Sequence, residues 1–302
     1  MFTEVLVPFD GSEDSQLALE VGAGLAAAAS TELRILAHRK DPDDSILSVE
    51  LCEKAFDVGR RYGLRPHLTA LEPKRFLSDA IVSEARARPG SVICMRSHGR
   101  GRMAVFTGSL TADILLYGPG PAVLVGPDCV GMVPENGGPI LAAVDGSHAS
   151  ETVLRVADAW AFELGLPLEI VEVVPTTPDP AIAGALADGD IFESGYLANL
   201  VRDHSELRNH GASYDVLHGK PAEAILGEAK ARNASLIAMA SHVPLGFERL
   251  RRGSVTDDVV RHSRVPVLAM HSVPLVEPDV SIDGEESDED SELPYQVQLM
   301  WM

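Results

Sequence analysis

Aromatic residues are scarce: Phe, Tyr and Trp make up 5% of the 302 residues, so any core must be built from aliphatic side chains. Cysteine is scarce too. Cys52, Cys94 and Cys129 are odd in number and show no CxxC spacing. That argues against a disulfide framework and fits a reducing compartment. Positive charge is in short supply, with 25 Lys and Arg against 45 Asp and Glu and a net charge of -20. So acidic a chain repels polyanions, which argues against nucleic acid and anionic membrane as partners. The longest apolar stretch near the N-terminus, Val21 to Ala29, is far short of a membrane span. The opening MFTEVLVPFD carries Glu4 and no basic region, so it does not read as a secretory signal. The expectation is a cytoplasmic protein. No GxxxxGK[ST] loop is present, which excludes a P-loop NTPase. His98 and His242 are single histidines with no flanking Cys/His set, so no metal site is expected.

What is present suffices for large cores. The chain is 45% hydrophobic and roughly twice the length of one ordinary domain of about 150 residues. It also repeats itself. Val5-Leu6-Val7-Pro8-Phe9-Asp10-Gly11-Ser12 recurs as Leu141-Ala142-Ala143-Val144-Asp145-Gly146-Ser147, with Asp10 and Asp145 offset by 135. Ser97-His98 recurs as Ser241-His242 and Gly108-Ser109 as Gly253-Ser254, at offsets of 144 and 145. Each copy closes on a Pro-led apolar run, from Pro121 and from Pro266. Four landmarks in one order mark an internal duplication. The growing offset places insertions in the second copy, most visibly the Pro-rich stretch Thr176 to Asp190.

Within each copy, short apolar runs alternate with helical patterns. The first copy predicts strands over 4–10, 32–38, 65–71, 91–95 and 121–126. Its helices are expected from Ser12 to about Ala29, over 75–88 and 109–117, and around Leu47, Leu51, Ala55, Val58 and Tyr62, which share one helix face. The second copy predicts strands near 139–144, 168–174, 212–218, 235–240 and 266–270, and helices near 149–164, 191–210, 222–232 and 255–262. Strands joined by helical crossovers give a parallel sheet with helices on both faces. The expected fold class is therefore α/β: two tandem five-stranded parallel-sheet α/β/α domains, over 1–128 and 139–272, joined by a Gly- and Pro-bearing linker, 129–138. The final strands, Val123 to Gly126 and Val267 to Met270, are expected to pair, since unprotected apolar edges are an aggregation hazard.

Ligands of such sheets sit at the carboxyl ends of the strands. There stand Asp10 or Asp145 after the first strand and Ser97-His98-Gly99 or Ser241-His242-Val243 after the fourth. An apolar strand ending Asp-Gly-Ser, a fourth strand ending Ser-His-Gly-Arg, a Gly-Ser opening a helix and a Pro-Val-Leu-Val strand resemble the universal stress protein family over nearly all of residues 1–272. The resemblance implies a stress-response regulator in tandem, two-domain form. It also implies ATP binding in many members, through Gly-x-x-Gly, nine residues, and Gly-Ser or Gly-Thr. Such glycines turn successive N–H groups toward phosphate, and the helix N-terminus adds positive potential.

Both copies depart from that pattern. In the first, Arg96 replaces the leading glycine and eight residues, not nine, precede Gly108-Ser109. In the second, Ala240 and Val243 replace both glycines while the spacing to Gly253-Ser254 is kept. The candidate nucleotide-binding residues are Asp10, Gly99, Gly101, Gly108 and Ser109, with Asp145, Gly253 and Ser254 in the second copy. The first copy is the better candidate for ATP. Two alternatives stand beside that reading: an interaction scaffold without nucleotide, and a slow ATPase. No nucleophile–base pair supports the last, so an enzyme is not expected. Gly22-Ala23-Gly24 matches part of a dinucleotide fingerprint but lies inside the first helix, where close packing explains it better. Cys94 reads as core.

Nine acids and no Lys or Arg occupy residues 277–302, leaving -11 for the rest. That predicts a disordered acidic tail over 273–302, dispensable for folding. It ends in the apolar Leu293 to Met302, a docking peptide for a protein partner, a passive terminus or a segment that folds back on its own body. Further homo-oligomerisation is left open.

Overall fold

The computed structural model describes residues 2–37, 49–71, 76–97, 110–131, 137–174, 195–202, 211–241 and 255–271, and the side chains of all these except 148 and 149. The first repeat runs β1 (Glu4–Phe9), α1 (Glu13–Ala28), β2 (Glu32–Ala37), α2 (Val49–Arg61), β3 (His67–Ala70), α3 (Leu77–Arg86), β4 (Ser91–Arg96), α4 (Leu110–Tyr117), β5 (Ala122–Val125). The second runs β6 (Ile140–Val144), α5 (His148–Leu164), β7 (Leu168–Val174), the helical residues 195–202 (α6), β8 (Ser213–His218), α7 (Pro221–Ala231), β9 (Leu236–Ser241), α8 (Val255–His262) and β10 (Val267–His271). The expected strands and helices are found with ends shifted by at most two residues, as fraying ends allow. The helix expected over 191–210 is described only at 195–202. The acidic tail lies outside the described residues.

Local chemistry explains the helix starts. Ser12 takes extended geometry and its Oγ accepts the Ser15 N–H at 3.2 Å; Ser147 repeats this with Ser150 at the same distance. The preceding Gly11 and Gly146 lie at φ +79° and +74°, a region a side chain disfavours. Inside α1, a Cβ on Gly22 would fall 2.5 Å from Val7 Cγ2, and the Tyr62 ring covers Gly24. Close packing is therefore what these glycines do.

The ten strands among the described residues join one sheet, in the order β3-β2-β1-β4-β5-β10-β9-β6-β7-β8. Neighbours within each repeat are parallel. The repeats meet where β5 and β10 pair antiparallel, Leu124 opposite Val267, Val123 opposite Leu268 and Ala122 opposite Ala269. The expected pairing of final strands is thus present, and it merges the two five-stranded sheets into one. Each edge hides the other's unpaired backbone groups, leaving β3 and β8 as the sheet edges among the described residues. One core layer lies under α1, α2, α5 and α6 and includes Trp160; the other lies under α3, α4, α7 and α8.

The seam is tight elsewhere too. Phe2 lies against Trp160, ring centroids 4.6 Å apart. Val130 N–H donates to Arg264 O at 3.0 Å, and His262 Nδ1 is 3.3 Å from Asp128 Oδ2.

Candidate functional site

In each repeat the chain leaves β1 (or β6) for one side of the sheet and returns to fill the other, so the strand order reverses between β1 and β4, and between β6 and β9. Open α/β sheets bind ligands outside the carboxyl ends of strands at such a point. Register shows what stands there. Glu4 faces Ser91 and Leu6 faces Ile93, so continuing the ladder sets Asp10 level with Ser97. Ile140 faces Leu236 and Ala143 faces Met239, which sets Asp145 level with Ser241.

The two aspartates build their own turns. Asp10 Oδ1 accepts from Ser12 N–H at 3.0 Å, Ser12 Oγ at 2.5 Å and Ser15 Oγ at 2.7 Å. Asp145 Oδ1 accepts from Ser147 N–H at 3.0 Å and Ser147 Oγ at 2.5 Å. Asp-Gly-Ser is thus first a folding signal, in which the carboxylate rigidifies the entry to the helix. Ser97 and Ser241 are different. Both are about 1% exposed, and among the described residues neither Oγ has a hydrogen-bond partner. A buried hydroxyl without a partner costs about 1–3 kcal/mol, so two at matching positions need a reason.

Arg96, in the place of the leading glycine, is held at the rim of the first crevice. Its Nη1 donates to Gly126 O at 2.7 Å, its Nη2 lies 3.5 Å from Pro127 O and 3.7 Å from Asp14 Oδ1. It ties the ends of β4 and β5 to the first turn of α1. Gly99, Gly101, Gly108, Ser109, Gly253 and Ser254 lie outside the described residues, as do His98 and His242.

Three residues that sequence reasoning passed over stand around the second crevice. Val144 pairs with Glu172 as Phe9 pairs with Ala37, and Glu151 matches Gln16 at the offset of 135. Glu172 Oε1 comes within 4.0 Å of where a Gly146 Cβ would sit. Tyr196 donates its hydroxyl to Glu151 Oε1 at 3.2 Å. Burial, with Glu151, Glu172 and Asp145 nearby, pushes its phenol up to about 12 and keeps it a neutral donor. Over Gly11, by contrast, lies the apolar Leu51. At matching positions the second repeat thus has Glu172 for Ala37, Glu151 for Gln16 and Ala240 for Arg96. An offset comparison of the two copies would have exposed these exchanges.

Other titratable groups are elsewhere. Cys94 is fully buried with its Sγ 3.4 Å from Ala18 O, and burial pushes its thiol far up, so the expected core role holds. At the opposite end of β7, Glu169, Asp215 and Glu228 all lie within ion-pair distance of Arg232, at 3.0, 3.6 and 2.6 Å. Among the described residues, theirs are the only three potential metal-ligating atoms within 4.8 Å of one another. No helix among the described residues is long and apolar enough to cross a membrane.

Comparison with known proteins agrees with this geometry. Residues 138–271 match the model of the Universal stress protein family. A universal stress protein of Mycolicibacterium smegmatis (strain ATCC 700084 / mc(2)155) is 27% identical over 190 residues, 61% of this chain; the match spans 63% of that relative, less than two thirds of its length. Universal stress protein Mb2028c of Mycobacterium bovis is 23% identical over 227 residues, 73% of each chain. The crystal structure of a universal stress protein from Archaeoglobus fulgidus DSM 4304 shares the fold with a TM-score of 0.58 at 21% identity, covering 89% of this chain and 98% of that one.

Proposed function

We propose that this chain, whose residues 138–271 belong to the universal stress protein family, is a regulatory protein that binds an adenine nucleotide, ATP, in the crevice of its first repeat. The observation that carries the reading is Ser97, a buried hydroxyl with no partner among the described residues, level with Asp10 at the point where strand order reverses. A ligand polar group would satisfy it. Arg96 supplies the rim with a cation suited to phosphate. Asp10, fixed by three donors, offers a preorganised acceptor edge to ribose or adenine. By the family resemblance, Gly99, Gly101, Gly108 and Ser109 are the residues assigned to the phosphates. The role is regulatory rather than catalytic, the nucleotide altering a surface read by a protein partner in the cytoplasm. The one-chain pairing of β5 with β10 stands in for a dimer.

Mass spectrometry of the small molecules released on denaturing the native protein would identify any bound nucleotide. In calorimetry, Asp10→Ala and Ser109→Ala are expected to weaken ATP binding about tenfold or more, the scale of one or two lost hydrogen bonds to a charged group. Asp145→Ala should change it little. The reverse order would move the site to the second repeat, and no binding at millimolar ATP would favour the scaffold reading.

A further inference from the structure

The repeats meet antiparallel, so the amino end of one half of the sheet lies beside the carboxyl end of the other. β10 runs toward Ala122, and continuing its ladder sets His271 level with Gly120 and, through β4 and β1, with Ser91 and Glu4. The last described residue thus stands at the amino end of the first repeat. That end is basic in an acidic protein. The turns leading into β3 and β4 carry Arg60, Arg61, Arg65, Arg86 and Arg88, against Glu4, Glu32 and Glu84 at the same end. Glu4 is buried and already held by Arg34 and Arg88, at 2.8 and 3.5 Å. Arg60 and Arg61 lean on Asp57 and Glu20. Among the described residues neither Arg65 nor Arg86 has a carboxylate partner, and Arg86 Nη2 donates to Tyr117 O at 2.9 Å.

Residues 272–302 come next in the chain, with nine acids between Glu277 and Glu292 and no Lys or Arg. Their length permits them to meet these arginines. Strands lie about 4.8 Å apart, so β4 is about 10 Å from β10 across the sheet and β3 about 24 Å. Fully extended, the chain spans about 20 Å from His271 to Glu277 and about 50 Å from there to Glu292. The carboxyl end of the second repeat is as near, but it carries Asp145, Glu151 and Glu172, which repel an acidic segment. Beyond the acids, Tyr295, Val297, Leu299 and Trp301 alternate with Gln296, Gln298 and Met300, the period of a strand. β3 is the sheet edge on the arginine side, paired among the described residues with β2 alone.

We infer that the C-terminal segment of this chain folds back across the amino end of the first repeat, setting its acids on Arg60, Arg61, Arg65, Arg86 and Arg88, and adds residues 295–301 to the open side of β3 as a further strand. Charge brings the segment to this face and main-chain bonds to an open edge hold its end. Reaching β3 at its amino end, the added strand runs parallel to it, as neighbours within the repeat do. The proposed nucleotide crevice lies at the other end of these strands, so either reading can fail alone.

The test is amide hydrogen exchange of the full chain at low ionic strength, with a free peptide of residues 277–302 as reference. Amides of 295–301 are expected to exchange about tenfold more slowly, or slower still, in the chain than in the peptide. About 1 M salt, where the Debye length is about 3 Å, should reduce that slowing severalfold. Arg65→Glu combined with Arg86→Glu should remove most of it. Lys220→Glu combined with Lys230→Glu, the same change of charge on the second repeat, should leave it in place. Alternate N–H groups of a strand face its neighbour, so Gln298→Pro with Leu299→Pro removes a ladder donor and should speed exchange in 295–301 and in β3 together. Those prolines lie beyond both repeats and keep the test decisive if the arginine variants do not fold. Peptide-like exchange of 295–301 in the full chain would overturn the inference and leave the segment to a partner protein. Slowing that vanishes on dilution would overturn it in favour of a second copy of the chain. Slowing that survives the arginine reversals or the prolines would overturn it as well.

Discussion

Gly126→Ala is expected to destabilise the protein by about 3 kcal/mol or more, the upper part of the usual range for overpacking. Gly126 follows β5 in the first repeat, and a Cβ there would lie 1.7 Å from Val260 O and 2.9 Å from Val260 C, in α8 of the second. The obstacle is backbone, so rotamer changes cannot relieve it. Either α8 moves off or the end of β5 does, and both movements disturb the β5–β10 ladder. Arg96 would feel the change, because its Nη1 bonds to Gly126 O. Denaturant unfolding of wild type and variant measures the loss. Gly63→Ala is the control: nothing lies within 4 Å of its Cβ position, so only the strain of its φ of +71° applies. Equal losses at 63 and 126 would mean that the close approach across the seam is not what Gly126 serves.

Trp160→Ala should cost about 3–5 kcal/mol, as removal of a buried aromatic side chain does when the cavity cannot collapse. Trp160 heads the largest fully buried side chains and is 2% exposed. It belongs to α5 of the second repeat, yet its ring neighbour is Phe2 of the first, and aromatic pairs add about 0.5–1.5 kcal/mol beyond the area they bury. Trp160→Phe should therefore recover much of the loss. Phe2→Ala should cost about 3–5 kcal/mol by itself and couple to Trp160→Ala, so that the double variant loses less than the sum. Strictly additive losses would show that the two rings act independently of each other.

Much of the architecture could be read along the chain because it is local. Apolar runs such as Val5 to Phe9 form strands buried on both faces, as parallel sheets require. Ser12 and Ser147 start helices by accepting an N–H three residues on, an interaction needing no distant partner. The pairing of final strands could be anticipated from the aggregation hazard of two unprotected apolar edges and from the resemblance to a family in which such edges commonly pair. The site was legible only in part. Asp10 and Asp145 could be named from the Asp-Gly-Ser motif, but their carboxylates prove to be engaged first in shaping the turn. Glu172 looks like any alternating strand residue, and Tyr196 follows an insertion with no counterpart in the first repeat. Neither carries a motif.

Sequence alone therefore determined the fold class, the duplication, the strand and helix order, and the aspartate at each first-strand end, because periodicity, capping and repetition act over a few residues. Tertiary structure alone decided that Gly126 must be bare, that Phe2 closes on Trp160, that Ser97 and Ser241 stand level with the aspartates, and that the two crevices differ in charge. These depend on which segments the sheet brings side by side. Residues as distant as Phe2 and Trp160 meet through strand order and register, which no local pattern encodes.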